Sequence, residues 1–139
     1  MFRTILLPLD LTDKHQRALD TAVDLARQHG GELVLLHVVE LIPGLPREED
    51  REFYDRLERA AADHLARAAQ ALSKAGIRSR TKILFGPRAV EVARYAAEIT
   101  ADLIVVTVPP LDPSHPAAGW ASLSWKVGVL APCPVLLVK

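Results

Sequence analysis

Cysteine is almost absent from this chain. The one thiol, Cys133, excludes an internal disulfide framework, and no Cys/His cluster has the spacing of a structural zinc site. A reducing compartment suits such a chain. Aromatic residues make up only 5% of the 139 positions. Neither sign of charge is in excess: 17 Lys and Arg stand against 17 Asp and Glu, for a net charge of zero. That balance argues against a general polyanion binder, so no nucleic-acid role is expected. No apolar run approaches the roughly 18 residues that a membrane helix needs. The opening "MFRTILLPLD" lacks the cleavable small-residue end of a signal peptide. A soluble, cytoplasmic protein with no membrane role is expected.

Aliphatic bulk is what the chain does have. Half of it is hydrophobic and 24% charged, a composition that can bury a core, and its length suits a single domain over 1–139. Ten prolines are the compositional oddity, because Pro109, Pro110, Pro113 and Pro116 crowd into one short stretch.

The hydrophobic pattern alternates between two periods. Phe2 to Leu9 is a continuous apolar run too short for a stable helix, followed by turn-formers at Asp10, Thr12 and Asp13. It predicts a strand buried on both faces, with Asp13 capping the helix that follows. Ala18, Ala22, Leu25 and Ala26 mark that helix, which Gly30 and Gly31 end. "ELVLLHVV" (Glu32 to Val39) repeats the buried-strand signature, and a loop with Pro43 and Pro46 follows. Phe53, Leu57, Ala61, Leu65, Ala68 and Leu72 give one face of a long helix over 51–75. Ile77 to Phe85 alternates before turning apolar, as a strand near a sheet edge does. A helix with Ala89, Ala93, Ala96 and Ala97 inward, a strand over 102–108, a helix over about 118–130 and a last strand over 134–139 complete the order βαβαβαβαβ.

Strands alternating with helices imply parallel pairing and right-handed crossovers. The expected fold is a doubly wound, Rossmann-like α/β domain: one five-stranded, mostly parallel sheet with helices on both faces. Such sheets bind ligands beyond the carboxyl ends of their strands, at the switch in strand order. The informative loops are therefore those at Asp10, Val39 and Thr107 to Gly119. The dinucleotide fingerprint fails, because the first turn is "DLTDKH" with no glycine, and no phosphate-loop Gly-Lys-Ser/Thr occurs. A phosphoacceptor receiver would place an aspartate after strand three, where Leu84, Phe85 and Gly86 stand. Cys133, between two prolines, is expected to pack inertly, and no nucleophile elbow or acid/base pair emerges, so no catalysis is expected.

Three segments carry a resemblance that spans the chain: "ILLPLDLTDKHQRALDTAVDLARQHGGELVLLHVV", "ADLIVV" and "SLSWKVGVLAPCPVLLVK". The chain resembles the universal stress protein family. The resemblance implies the fold just derived, a dimer, and a division between members that bind nucleotides and members that do not. ATP-binding members carry Gly, two residues, Gly, nine residues, then Gly followed by Ser or Thr. Glycine there lets backbone N–H groups close on phosphates at a helix N-terminus. Here those glycine positions fall on Thr107, Pro110 and Trp120, or Ala121 if one inserted residue keeps Ser122 in place. Four prolines also remove four backbone donors. The lost charge-assisted bonds amount to about 3 kcal/mol or more, over about a hundredfold in affinity. No cation in the loop compensates. The expectation is a stress-response regulatory protein that binds no cofactor. The alternative is a degenerate adenine-nucleotide binder holding ATP or AMP with Mg through Asp10, Val38, Val39, Thr107 and Ser122, with weak or no ATPase activity.

Other polar residues invite structural readings. His37, inside an apolar strand, is expected to be a satisfied core imidazole. His115 is expected to be exposed but lacks a second ligand at metal spacing, so no metal site is expected. Ser122 or Ser124 should cap the last helix. The terminal strand of Pro134, Val135, Leu136, Leu137 and Val138 is short and apolar. At a sheet edge it would invite aggregation unless the same strand of a second copy covered it, so a homodimer is expected, with an unidentified protein partner beside it.

Overall fold

The computed structural model of the protein describes residues 1–110, 112–115 and 122–139. Five strands, β1 (Thr4–Pro8), β2 (Glu32–Val39), β3 (Ser79–Phe85), β4 (Leu103–Thr107) and β5 (Val135–Val138), form one sheet in the order β3-β2-β1-β4-β5. Every pairing is parallel. Helices α1 (Gln16–His29), α2 (Arg51–Lys74), α3 (Arg88–Glu98) and α4 (Leu123–Leu130) alternate with the strands.

The chain winds outward from β1 to β3, then crosses to the other side of β1 to lay down β4 and β5. Alternation along each strand sends successive side chains to opposite faces. Ile5, Leu7, Leu33, Leu35 and Val105 meet Ala18, Ala22 and Ala26 of α1 and Leu65 and Leu72 of α2. Leu6, Val34, Leu36, Ile104 and Val106 meet Ala89, Val92, Tyr95 and Ala96 of α3 and Val127 of α4. The expected doubly wound fold, with helices on both faces, is the one observed. Alanines on α1 and α3 bring the helix axes close to the sheet, which suits a chain with few aromatics. Gly30, with φ of 64°, closes α1, and at Gly31 a Cβ would stand 2.5 Å from the Phe2 carbonyl oxygen. Only glycine permits that close approach of the turn before β2 to the segment that leads into β1.

Several local expectations need correction. Asp13 does not cap α1; it opens a short 3-10 turn over Asp13–His15, and the α-helix begins at Gln16. Ala97 faces solvent, because the inward stripe of α3 follows Ala89, Val92, Tyr95 and Ala96. On α2 the fully buried aromatic is Tyr54 rather than Phe53. Its hydroxyl donates to the Leu45 carbonyl at 2.7 Å and accepts from the Ile42 amide at 2.9 Å, so the proline loop is pinned to the helix through it. Pro134 lies just before β5, and its carbonyl accepts the Ile104 amide of β4 at 3.0 Å. The expected start of the last helix at 118, with Trp120 and Ala121, lies outside the described residues. Both expected edges are edges: β3 at one side and β5 at the other.

Candidate functional site

The switch in strand order falls between β1 and β4, whose carboxyl ends deliver Asp10 and Thr107. A cavity of about 270 Å³ opens there, lined by Asp10, Val38, Thr107 and Ser122 among others. Four of the five residues singled out for a ligand are thus brought together. Val39 is not among the lining; it is buried, and its carbonyl accepts the Gly86 amide at 3.0 Å. Ser122 caps α4 as expected, accepting the Trp125 amide at 3.3 Å, with the buried Ser124 hydroxyl 3.1 Å from its own.

His15 organises the cavity mouth, and sequence reasoning passed it over. Its Nε2 lies 2.8 Å from Asp10 Oδ1, and its Nδ1 lies 2.8 Å from Thr107 Oγ1. The imidazole therefore ties the end of β1 to the end of β4. Asp10 Oδ1 also accepts the Thr12 amide at 2.9 Å and the Thr12 hydroxyl, while Lys14 Nζ sits 2.9 Å from Oδ2. This is the turn-forming role expected of an aspartate at a strand end, extended by two further partners. Burial pushes the Asp10 carboxyl up, but hydrogen bonds from Thr12, Lys14 and His15 outweigh it and hold the group far below its ordinary value of 3.8. A carboxyl depressed on folding adds stability above its unfolded value and loses it as pH falls through the folded one. Acid titration of stability should therefore show the native protein weakening below about pH 4, and Asp10→Asn should flatten part of that slope. An unchanged slope in the variant would remove Asp10 from the ionised network.

Two cations that the loop sequence does not reveal reach the cavity from elsewhere. Lys14 comes from the 3-10 turn and Arg88 from the start of α3, where Arg88 also pairs with Glu40 at 3.2 Å. The expectation of a site without a compensating cation is therefore corrected: Lys14 and Arg88 line the cavity. The signal for His15 and Lys14 was their position in "DLTDKH", directly beyond the first strand at the switch point. Arg88 gave no such signal, because tertiary folding alone brings α3 there.

The remaining candidates have local roles. His37 Nδ1 donates to the Leu9 carbonyl at 2.8 Å, so it is a satisfied imidazole that fixes the exit of β1. His115 is exposed and, among the described residues, contacts its neighbours Asp112 and Ser114. No group of three His, Cys, Asp or Glu side chains among the described residues is placed to hold a metal. Cys133 packs against the α3 and α4 side of the core, and burial pushes its thiol up, away from the reactive thiolate. No described helix is long and apolar enough to cross a membrane.

Comparison with known proteins agrees with the geometry. The family model described as "Universal stress protein family" matches residues 1–139. Universal stress protein Sll1654 of Synechocystis is 35% identical over 99% of this chain and 86% of its own length. The solved structure of universal stress protein UspA from Lactobacillus plantarum superposes with a TM-score of 0.81 at 26% identity, covering 99% of this chain and 98% of the other. A universal stress protein solved in complex with cAMP shares the fold with a TM-score of 0.72 at 22% identity, covering 99% and 97%. From its first residue to its last, this chain belongs to the universal stress protein family.

Proposed function

We propose that the protein is a cytoplasmic stress-response regulator of the kind that does not use ATP, working through a homodimer and a protein partner. The observation that carries this reading is the His15 bridge. The side chains best placed to meet a nucleotide, Asp10 and Thr107, are already joined to each other through one imidazole. A ribose hydroxyl at Asp10 would have to displace His15 or Lys14, and Thr107 Oγ1 is engaged as well. Pro109 lines the cavity and Pro110 follows it, so neither offers an amide to a phosphate. The volume of about 270 Å³ also lies just under the roughly 300–1,000 Å³ typical of ligand pockets.

Titration calorimetry with ATP, ADP and AMP in magnesium should give no dissociation constant in the low micromolar range. A low micromolar value for any of them would overturn this reading in favour of the degenerate nucleotide site. One observation supports that second reading: Arg88 and Lys14 line the cavity beside the first turn of α4. The cAMP complex of a family member points the same way.

The dimer rests on β5. It is an edge strand of four residues whose Leu136 and Leu137 are exposed. Next to it, α4 exposes Trp125, Val129 and Leu130. An edge with free backbone groups and apolar side chains is stabilised when the same strand of a second copy closes it around a two-fold axis.

A further inference from the structure

We propose that Thr107 is an activated nucleophile, with His15 as its general base and Asp10 as the residue that positions the base, and that it accepts an acyl group from a small acyl phosphate. The proposal stands on the relay and its cavity, and it is independent of whether ATP binds.

The proton assignment follows from the partners. Asp10 is ionised, and its Oδ1 lies 2.8 Å from His15 Nε2. A bare nitrogen lone pair facing a carboxylate at that distance would be repulsive, so Nε2 carries the proton. The Asp10 amide also donates towards the same nitrogen, at 3.3 Å, and the nearer, charged carboxylate oxygen at 2.8 Å outweighs it. In the neutral imidazole Nδ1 is then the acceptor, and the Thr107 hydroxyl at 2.8 Å donates to it. This is the order nucleophile, base, orienting carboxylate that activates a hydroxyl. Three separate parts of the chain supply it: the end of β4, the 3-10 turn and the exit of β1.

The surroundings fit an acyl donor with an anionic leaving group. Leu123 and Ser124 line the same cavity, and their amides lie in the first turn of α4, where no intrahelical carbonyl reaches them. They are donors for a developing oxyanion. Lys14 and Arg88 line it too, and they offer charge to a leaving phosphate. The small volume favours an acetyl-sized group over a long chain. The other charged or titratable groups around His15 are Asp13 in its own turn and His64 and Arg67 of α2, which share a second groove with it.

The step balances without any oxidant or reductant. Thr107 Oγ bonds to the carbonyl carbon, and its proton passes to His15 Nδ1. The bond between that carbon and the phosphate oxygen breaks, the phosphate leaves with the electron pair, and His15 returns the proton to it. Thr107 is left as an ester.

Acetyl phosphate is the probe. The intact protein is incubated with it, and mass spectrometry with peptide mapping locates any adduct. The expected result is one acetyl group on Thr107, retained in Thr107→Ser and absent in Thr107→Val, which keeps the shape and removes only the hydroxyl. His15→Gln should slow acetylation by about a hundredfold or more. Asp10→Asn should slow it and Asp10→Glu, which restores a carboxylate, should recover part of the rate; a merely structural role for Asp10 would leave the rate of both folded variants unchanged. Acetyl only on Lys14 or other amines, a phosphoryl group on Thr107, or no adduct at all would each overturn the proposal. Melting curves of the variants separate loss of chemistry from loss of fold, and Thr107→Val keeps the test open if His15→Gln does not fold. ATP titration on the same preparation tests the regulatory reading separately.

Discussion

Leu35→Ala should lower the free energy of unfolding by about 4–5 kcal/mol, and Leu36→Ala by only about 2–3 kcal/mol, although both leucines are completely buried in one strand. The difference comes from what each side chain faces. Leu35 points to the α1 and α2 side, among Ile5, Leu7, Leu33 and Leu65, where truncation leaves a sealed apolar hole. Leu36 points to the other side and lines the cavity at the switch point. Truncation there enlarges a space that already has polar walls, so water can enter and the lost packing is partly offset. Against a total stability of about 5–15 kcal/mol for a domain, the first loss is large enough to unfold much of the population at moderate temperature. Urea titration with an unchanged slope checks it. Equal losses, or a larger one for Leu36→Ala, would refute the distinction between the two faces.

The fold was legible because its signals were redundant. Continuous apolar runs at β1, β2 and β4, separated by helical stripes of alanine and leucine, left parallel pairing as the one economical arrangement. Even the edge position of β3 could be read, from the alternation of its first half. Misreadings fell where two neighbouring residues compete for one role. Phe53 and Tyr54 differ by 100° around α2, and hydropathy favours the phenylalanine. The fold buries the tyrosine, because its hydroxyl finds Leu45 and Ile42 in a loop that no helical periodicity describes. Asp13 looked like a cap by residue type, yet a 3-10 turn intervenes and delays α1 by one turn.

The site was half legible. Asp10, Val38, Thr107 and Ser122 could be placed at strand ends and a helix start, and they converge. His15 could not be assigned a partner, because Thr107 lies 92 residues away and only the β1 to β4 pairing closes that distance. A search for glycines in "DLTDKH" asks what a phosphate needs and overlooks what an imidazole could bridge. Arg88 is the same case with a longer route: it reaches the cavity only after α3 packs on the sheet. Pairings between distant segments carry no local period, so sequence patterns do not report them.

Leu137→Asp should convert a dimer to a monomer, raising its dissociation constant about thirtyfold or more while leaving monomer stability within about 0.5 kcal/mol. The choice of residue matters. Val135 would serve as well on sequence grounds, but it packs partly against the α3 and α4 side of the core. An aspartate at Val135 would bury a charge and weaken the fold itself, so a monomer obtained that way would not identify an interface. Leu137 pairs in register with Val106 through the backbone, yet the residue is 51% exposed. A charge there has water in the monomer and meets its own copy only across a two-fold contact, where like charges repel. Sedimentation at micromolar concentration reads the mass, and the urea midpoint reads the fold. A native chain that sediments as a monomer, or a Leu137→Asp chain that stays dimeric, would place the contact elsewhere or abolish it. Loss of the dimer with the fold intact would mean that β5 is held on both sides, by β4 within the chain and by its own copy across the axis.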